Sequence, residues 1–246
     1  MIIIDGHFAI DGSMTTGEFG FRADPDLTSG LVAYYEMDDL TDSHINGYDG
    51  VLRSGSVGNV GGIIGDTYIQ SSSNRFGGIE YSSNVFQPNT SGSFTMNGWF
   101  KISQYNSFNG DVTVIGNDQA QLYMFSGNYL DFRMFETGLG NIWIRWTDHP
   151  FETFNVWKMI TLTKDAGSMA ASSVNLYVDG ELYTTTRSVI ADTLVGNTVL
   201  SSNFDLGGGD VYKDFWGSID EVGVWDRALT PSQITKLYNS GSGLLY

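Results

Sequence analysis

The sequence predicts an all-β protein, one antiparallel β-sandwich closed by a single short helix. Three observations predict it. Short runs of apolar and polar residues alternate with period two, the signature of half-buried strands. The chain carries 31 glycines and only 4 prolines, which supplies tight turns and disfavours helical bundles. Only one segment, 230–241, combines a helix start, a 3.6-residue apolar stripe and a helix stop. A length of 246 residues with 41% hydrophobic content suits one large sandwich domain.

The elements follow in chain order. Residues 1–27 differ from the rest, with Ile-Asp-Gly twice (4–6 and 10–12) and a Gly- and Thr-rich link to Asp24-Pro25-Asp26. Two readings stand open: an irregular arm lying on the domain, or a docking arm for a larger assembly. The domain proper is 28–246. LVAYYEMD (31–38) reads as a strand, and 38–50 as a polar loop bent by glycines. Strands are expected at 77–81, 94–102, 112–115, 121–125, 129–135, 142–146 and 156–163. Val174–Val178 and Glu181–Thr186 flank Asp179-Gly180, the strongest hairpin signal, because both turn residues need positive φ. Strands at 198–200, 203–206 and 215–225 complete the set. Thr230-Pro231-Ser232-Gln233 is a capping box with Pro at the first helical position. Ile234, Leu237 and Tyr238 then share one helix face, and Gly241 is a stop signal.

Composition excludes several classes. The formal net charge is −16, the wrong sign for phosphate recognition, so no nucleic-acid partner is expected. The absence of cysteine rules out disulfides, thiolate metal sites and a cysteine nucleophile. No apolar run approaches transmembrane length, so no membrane partner is expected. The apolar start lacks a basic region and meets Asp5 early, unlike a secretory signal. His7, His44 and His149 have no zinc-ligand spacing. There is no Gly-x-Ser-x-Gly elbow, and Gly207-Gly208-Gly209 has neither a helix start nor a Lys in register to make a phosphate loop. The loop 38–50 offers Asp38, Asp39, Asp42, Asn46 and Asp49, the oxygen-rich donors that a hard cation needs.

Three stretches resemble the laminin-G-like, concanavalin-A-like jelly rolls of bacteria and phages: GLVAYYEMDDLTDSHINGYDGVL (30–52), WKMITLTKDAGSMAASSVNLYVDGEL (157–182) and FWGSIDEVGVWDRALTPSQITKLY (215–238). The departures are Gly223 at a usually charged position, Met37 at a usual Phe, and residues 1–27 outside the match. The resemblance implies a concanavalin-A-like antiparallel jelly roll whose first and last core segments are neighbours. It also implies a cation shared between the opening loop and the closing Ile-Asp-Glu strand. Carried onto this chain, the calcium ligands are Asp38, Asp42, Asn46, Asp220 and Glu221. One acid of the adjacent pair is expected to turn toward the first loop, and the other toward solvent or Arg227. A flat strand sends neighbours to opposite faces.

Related glucanases carry Glu-x-Asp-x-(x)-Glu on one strand, because residues i, i+2 and i+4 share a face. Here Glu36-Met37-Asp38 is followed by Leu40 and Thr41. No enzyme built on one strand is expected, while acids on separate strands stay open. Outward-facing aromatics are the alternative, since sugar faces stack on rings. Tyr105, Trp143, Arg145 and Trp146 are the candidate ligand-binding residues. The expected function is a non-enzymatic, lectin-like binding or display protein of a phage virion: a head decoration, fibre or tail component. Its partners would be a glycan or cell-surface polysaccharide, other virion proteins through residues 1–27, and further copies in a homo-oligomer. The alternative is an extracellular polysaccharide-binding module or hydrolase.

Overall fold

The computed structural model describes residues 25–70, 78–103, 112–125, 129–208 and 215–246. Residues 1–24 of the arm and Tyr105 therefore lie outside the described residues. In chain order the elements are α1 (Pro25–Thr28), β1 (Leu31–Tyr35), β2 (Val51–Leu52), β3 (Ser56–Val60), β4 (Asp66–Gln70), β5 (Ile79–Tyr81), β6 (Phe94–Ile102), β7 (Val112–Asn117) and β8 (Ala120–Phe125). They continue with β9 (Tyr129–Glu136), β10 (Gly140–Trp146), β11 (Lys158–Lys164), β12 (Val174–Val178), β13 (Glu181–Leu182), β14 (Arg187–Asp192), β15 (Phe204–Leu206), β16 (Gly217–Trp225) and α2 (Pro231–Tyr238).

These strands form the two antiparallel sheets of a jelly-roll β-sandwich. The first runs β13-β12-β11-β6-β16-β4-β3, with β1 also pairing with β16; the second runs β14-β10-β9-β8-β7-β15-β5-β2. The first and last core segments do meet: Tyr34 pairs with Gly223 and Tyr35 with Val222. The main core lies between the sheets. Tyr35, Phe100, Ile219 and Val222 from the first pack toward Leu122, Phe132, Ile144 and Trp146 from the second, all buried. Alternation explains this, since every second residue of each strand faces inward.

A smaller cluster covers the outer face of the first sheet. Tyr34, Trp99 and Trp225 pack there under Leu229, Ile234 and Leu237. Ile234 and Leu237 of α2 are buried, and together they contribute about 3–6 kcal/mol of gross apolar burial. The capping box forms as expected, with Thr230 accepting from the Gln233 amide and Gln233 reaching back to the Thr230 amide. The helix ends at Asn239, whose φ of 47° is left-handed, two residues before the predicted stop at Gly241. The last residues of the predicted arm dock on this face, since Leu27 is buried and its carbonyl accepts from Trp225 Nε1 at 2.6 Å. At the Asp179-Gly180 turn both φ values are positive, 51° and 83°.

Candidate functional site

The first candidate is built on β9 and β10. In Tyr-Leu-Asp-Phe-Arg-Met-Phe the residues Leu130, Phe132 and Met134 are fully buried in the core. Tyr129, Asp131, Arg133 and Phe135 therefore point to the outer face of the second sheet. On β10, Ile142, Ile144 and Trp146 point inward, leaving Asn141, Trp143 and Arg145 outward. The register sets Asp131 opposite Arg145 and Arg133 opposite Trp143. Trp146 is thus a correction to the expected ligand set: it is 0% exposed and fills the core, so no ligand can stack on it. Trp143 and Arg145 do share one accessible face.

Asp131 organises that face. Its side chain is 0% exposed, covered by the groups it binds. Arg145 Nε donates to Oδ1 at 2.8 Å and Nη2 to Oδ2 at 2.7 Å, while Trp143 Nε1 donates to Oδ2 at 2.8 Å. These hydrogen bonds, with the negative charge behind them, raise the Arg145 pKa further. The bidentate fork is the strong, geometrically specific form of the pair. Arg145 also lies 4.4 Å from the Tyr129 ring centroid and 5.4 Å from that of Trp143. Arg133 lies 5.8 Å from Trp143 and 4.6 Å from Phe135. The result is an alternating ladder, Tyr129–Arg145–Trp143–Arg133–Phe135, with its rings held in place by cation–π contacts. Asp131, Arg133 and Phe135 escape a reading of the sequence for aromatic and basic candidates. The parity of the β9 alternation is the signal that could have placed them.

The second candidate is the acidic neighbourhood of the opening loop and β16. The pairing of β16 with β6 slips between Asp220 and Gly223: Asp220 faces Trp99, and Gly223 faces Asn97. Two residues on β16, Glu221 and Val222, thus oppose one on β6, which is a β-bulge. Glu221 sits at a left-handed φ of 49°, a conformation that costs about 1–3 kcal/mol for a non-glycine residue. The bulge returns Val222 to the main core and turns both acids to the outer side. The flat-strand expectation of opposite faces is corrected, and so is an acid facing solvent or Arg227. Glu221 is 2% exposed and accepts from the Tyr34 hydroxyl. Arg227 instead donates to the carbonyls of Ser29 and Asp26.

Asp220 turns toward the turn at 63–64, beyond the loop 38–50 that was expected to receive it, with Asp38 of that loop close enough to act on its charge. Its Oδ2 accepts from the amides of Ile63 at 2.5 Å and Ile64 at 3.3 Å. Asp38 Oδ1 accepts from the amide of Asp66 at 2.7 Å, so the two acids hold the two ends of one turn. Burial raises the carboxyl of Asp220 to about 7. Burial also raises that of Glu221 to about 9, with Asp220, Glu36 and Asp38 adding to the effect. The remaining expected ligands are engaged elsewhere. Asp42 accepts from the amides of Tyr34, His44 and Tyr48, and Asn46 donates to the Val32 carbonyl. Both brace the loop itself, as short polar side chains do in turns. Asp220 Oδ1 and Glu221 Oε1 are buried without a hydrogen-bond partner among the described residues, but calcium wants six to eight oxygens. Among the described residues no three His, Cys, Asp or Glu side chains converge as a metal site. As arranged, the five expected ligands do not form one cage.

The fold has known counterparts. The family model for the concanavalin A-like lectin/glucanase superfamily matches residues 66–235, and the chain belongs to that superfamily. No curated protein matches the sequence. Among solved structures, the binding domain of Paraclostridial mosquitocidal protein 1 is similar, with a TM-score of 0.63 and 19% identity over 87% of this chain and 52% of that one. The receptor binding domain of botulinum neurotoxin D gives 0.62 and 17% over 86% and 53%. This chain therefore spans about half the length of these two structures. Domain 4 of AbnA, an extracellular arabinanase from Geobacillus stearothermophilus in complex with arabinotriose, gives 0.56 and 22% over 84% and 97%. These likenesses establish a lectin-like β-sandwich fold. Among the described residues no helix is long and apolar enough to cross a membrane.

Proposed function

We propose that the protein is a non-enzymatic, lectin-like binding module that takes a glycan or cell-surface polysaccharide on the outer face of its second sheet. One observation carries the reading: Asp131 fixes Trp143 and Arg145 on that face, in line with Tyr129, Arg133 and Phe135. Pre-ordered rings offer flat apolar area to sugar C–H faces, while guanidinium groups meet hydroxyls. A site already rigid before binding loses little conformational entropy. The bound arabinotriose of the arabinanase domain supports a saccharide ligand for this sandwich, and the two toxin domains support a binding role.

The hydrolase alternative requires two carboxyls about 5–10 Å apart across a sugar bond. The acid within the ladder, Asp131, has both oxygens engaged by Arg145 and Trp143. Asp220 and Glu221 are buried beside Tyr34 and the turn at 63–64. Neither arrangement offers an accessible acid pair, which favours binding over catalysis. The proposal extends to display on a virion, as a head decoration, fibre or tail component anchored through residues 1–27 and assembled as a homo-oligomer. Its support is the resemblance of three stretches of the chain to the phage and bacterial branch of the family. An extracellular polysaccharide-binding module is the alternative setting.

A glycan-array screen of the purified protein tests the binding proposal. The expected result is a discrete set of bound saccharides, lost in Trp143→Ala while near-ultraviolet circular dichroism stays native. Binding that survives Trp143→Ala at full strength, or no bound saccharide, would overturn it.

A further inference from the structure

Arg133 is the unusual member of the ladder. Arg145 has a carboxylate; among the described residues Arg133 has none. Both oxygens of Asp131, two residues away on the same strand, are taken by Arg145 and Trp143. Along the row that crosses the sheet at Arg133, its neighbours are Gln121 and then Gly116. The next is Asp205, opposite Gly116, three strand spacings or ~14 Å away. Arg133 Nε is buried with no hydrogen-bond partner among the described residues. Asn141 Oδ1, on the outer side of β10 opposite Phe135, is likewise buried and unpartnered. An orphan donor and an orphan acceptor therefore flank the rings of Trp143 and Phe135. The ladder holds two guanidinium groups and one carboxylate, 2 − 1 = +1, in a chain of net charge −16.

We propose that this face selects a saccharide bearing a carboxylate, a uronic acid residue, with Arg133 as the group that reads the charge. The inference rests on the reading of the ladder as a glycan platform. A planar carboxylate matches the guanidinium fork in two parallel hydrogen bonds. The ladder already shows that match once, internally, at Arg145 and Asp131. A uronic acid also brings a hydroxyl donor for Asn141 and an apolar C–H face for Trp143 and Phe135. A neutral sugar would stack equally well but would desolvate Arg133 without compensating its charge. Arg133 and Asn141 are only half-buried, so part of each side chain is open to a ligand on this face. The overall charge of −16 repels extended polyanions, which favours a sparsely charged glycan over a nucleic acid.

The experiment is a calorimetric titration with trigalacturonate, its methyl ester, a sulfated trisaccharide of equal charge, and arabinotriose. The wild-type protein is expected to bind the free acid about ten- to hundredfold more tightly than the ester, the range of one charge-assisted pair. That preference shrinks as salt rises. Arg133→Gln abolishes the preference, read as the ratio of the two affinities. Arg133→Lys, which keeps the charge, retains part of it, and this separates charge reading from misfolding. Equal binding of acid and ester, or a preference that survives Arg133→Gln, would overturn the proposal. So would a stronger affinity for the sulfated sugar. If the ester or arabinotriose binds in a Trp143-dependent way without preference for the acid, the uronic acid assignment fails and the glycan platform stands. If no saccharide binds, both fail.

Discussion

Glu221→Gln is expected to stabilise the protein, and to do so increasingly as pH rises. The side chain is 2% exposed and its carboxyl is raised from 4.5 to about 9, chiefly by burial. The sign follows from linkage. Between pH 4.5 and 9 the folded state holds a proton on Glu221 that the unfolded state has lost, so folding takes up a proton and stability falls as pH rises. At pH 7 the span from 4.5 is 2.5 units, or ~3 kcal/mol at ~1.4 kcal/mol per unit. At pH 5 it is half a unit, under ~1 kcal/mol. Glutamine keeps the shape and an acceptor for the Tyr34 hydroxyl but cannot ionise. The variant should therefore gain about 3 kcal/mol at pH 7, or ~6–12 °C in melting temperature for a domain of this size, and little at pH 5. Thermal unfolding of both proteins at pH 5, 7 and 9 measures this. Destabilisation of equal size at all three values, or wild-type stability that rises from pH 5 to pH 9, would refute the reasoning. Asp220, raised from 3.8 to about 7, adds a loss of the same sign between pH 4 and 7.

Three further outcomes follow from the same structure. Asp131→Asn leaves Arg145 without its counter-charge and should cost about 3–5 kcal/mol, read from the urea midpoint; a change under ~1 kcal/mol would contradict the role given to Asp131. Thr230→Ala removes the cap of α2 and should cost ~1 kcal/mol by the same measurement, and a neutral result would remove the cap from the account. Calcium and chelator should each leave the melting temperature at pH 6 unchanged. A rise of several degrees in millimolar calcium would assign a cation to Asp38, Asp220 and Glu221 in place of the protons.

How much was legible depended on how local the signal was. The Asp179-Gly180 turn and the Thr230–Gln233 box are written within four residues, and both form, although the second hairpin strand stops at Leu182 and not at Thr186. The long alternating strands β6, β9, β10 and β16 were equally plain. Strands β3 and β4 were missed because glycines interrupt the apolar pattern of residues 56–70. β14 was missed because it is a sheet edge with mostly exposed side chains, so it has no period to detect. The expected strand at 198–200 is only an isolated bridge between Asn89 and Val199. Trp146 was misread although parity alone could place it: it lies three residues from Trp143, hence on the opposite face. The bulge at Glu221 was not legible, because it arises from the register of β16 against the sequence-distant β6; the partnership of Asp131 with Arg145 needed the exact register of the β9–β10 hairpin, which side-chain parity alone does not fix. The closing strand places two acids side by side because its bulge tucks both beneath the outer cluster, with Tyr34 and the turn at 63–64 as their partners.

The most direct test of the binding claim is the indole N–H spectrum during titration with an oligosaccharide that the array identifies. The account predicts that the Trp143 Nε1–H resonance shifts with saturation, while those of the core residues Trp146 and Trp225 stay fixed. A saturable shift at Trp146 or Trp225 with Trp143 unmoved would contradict it.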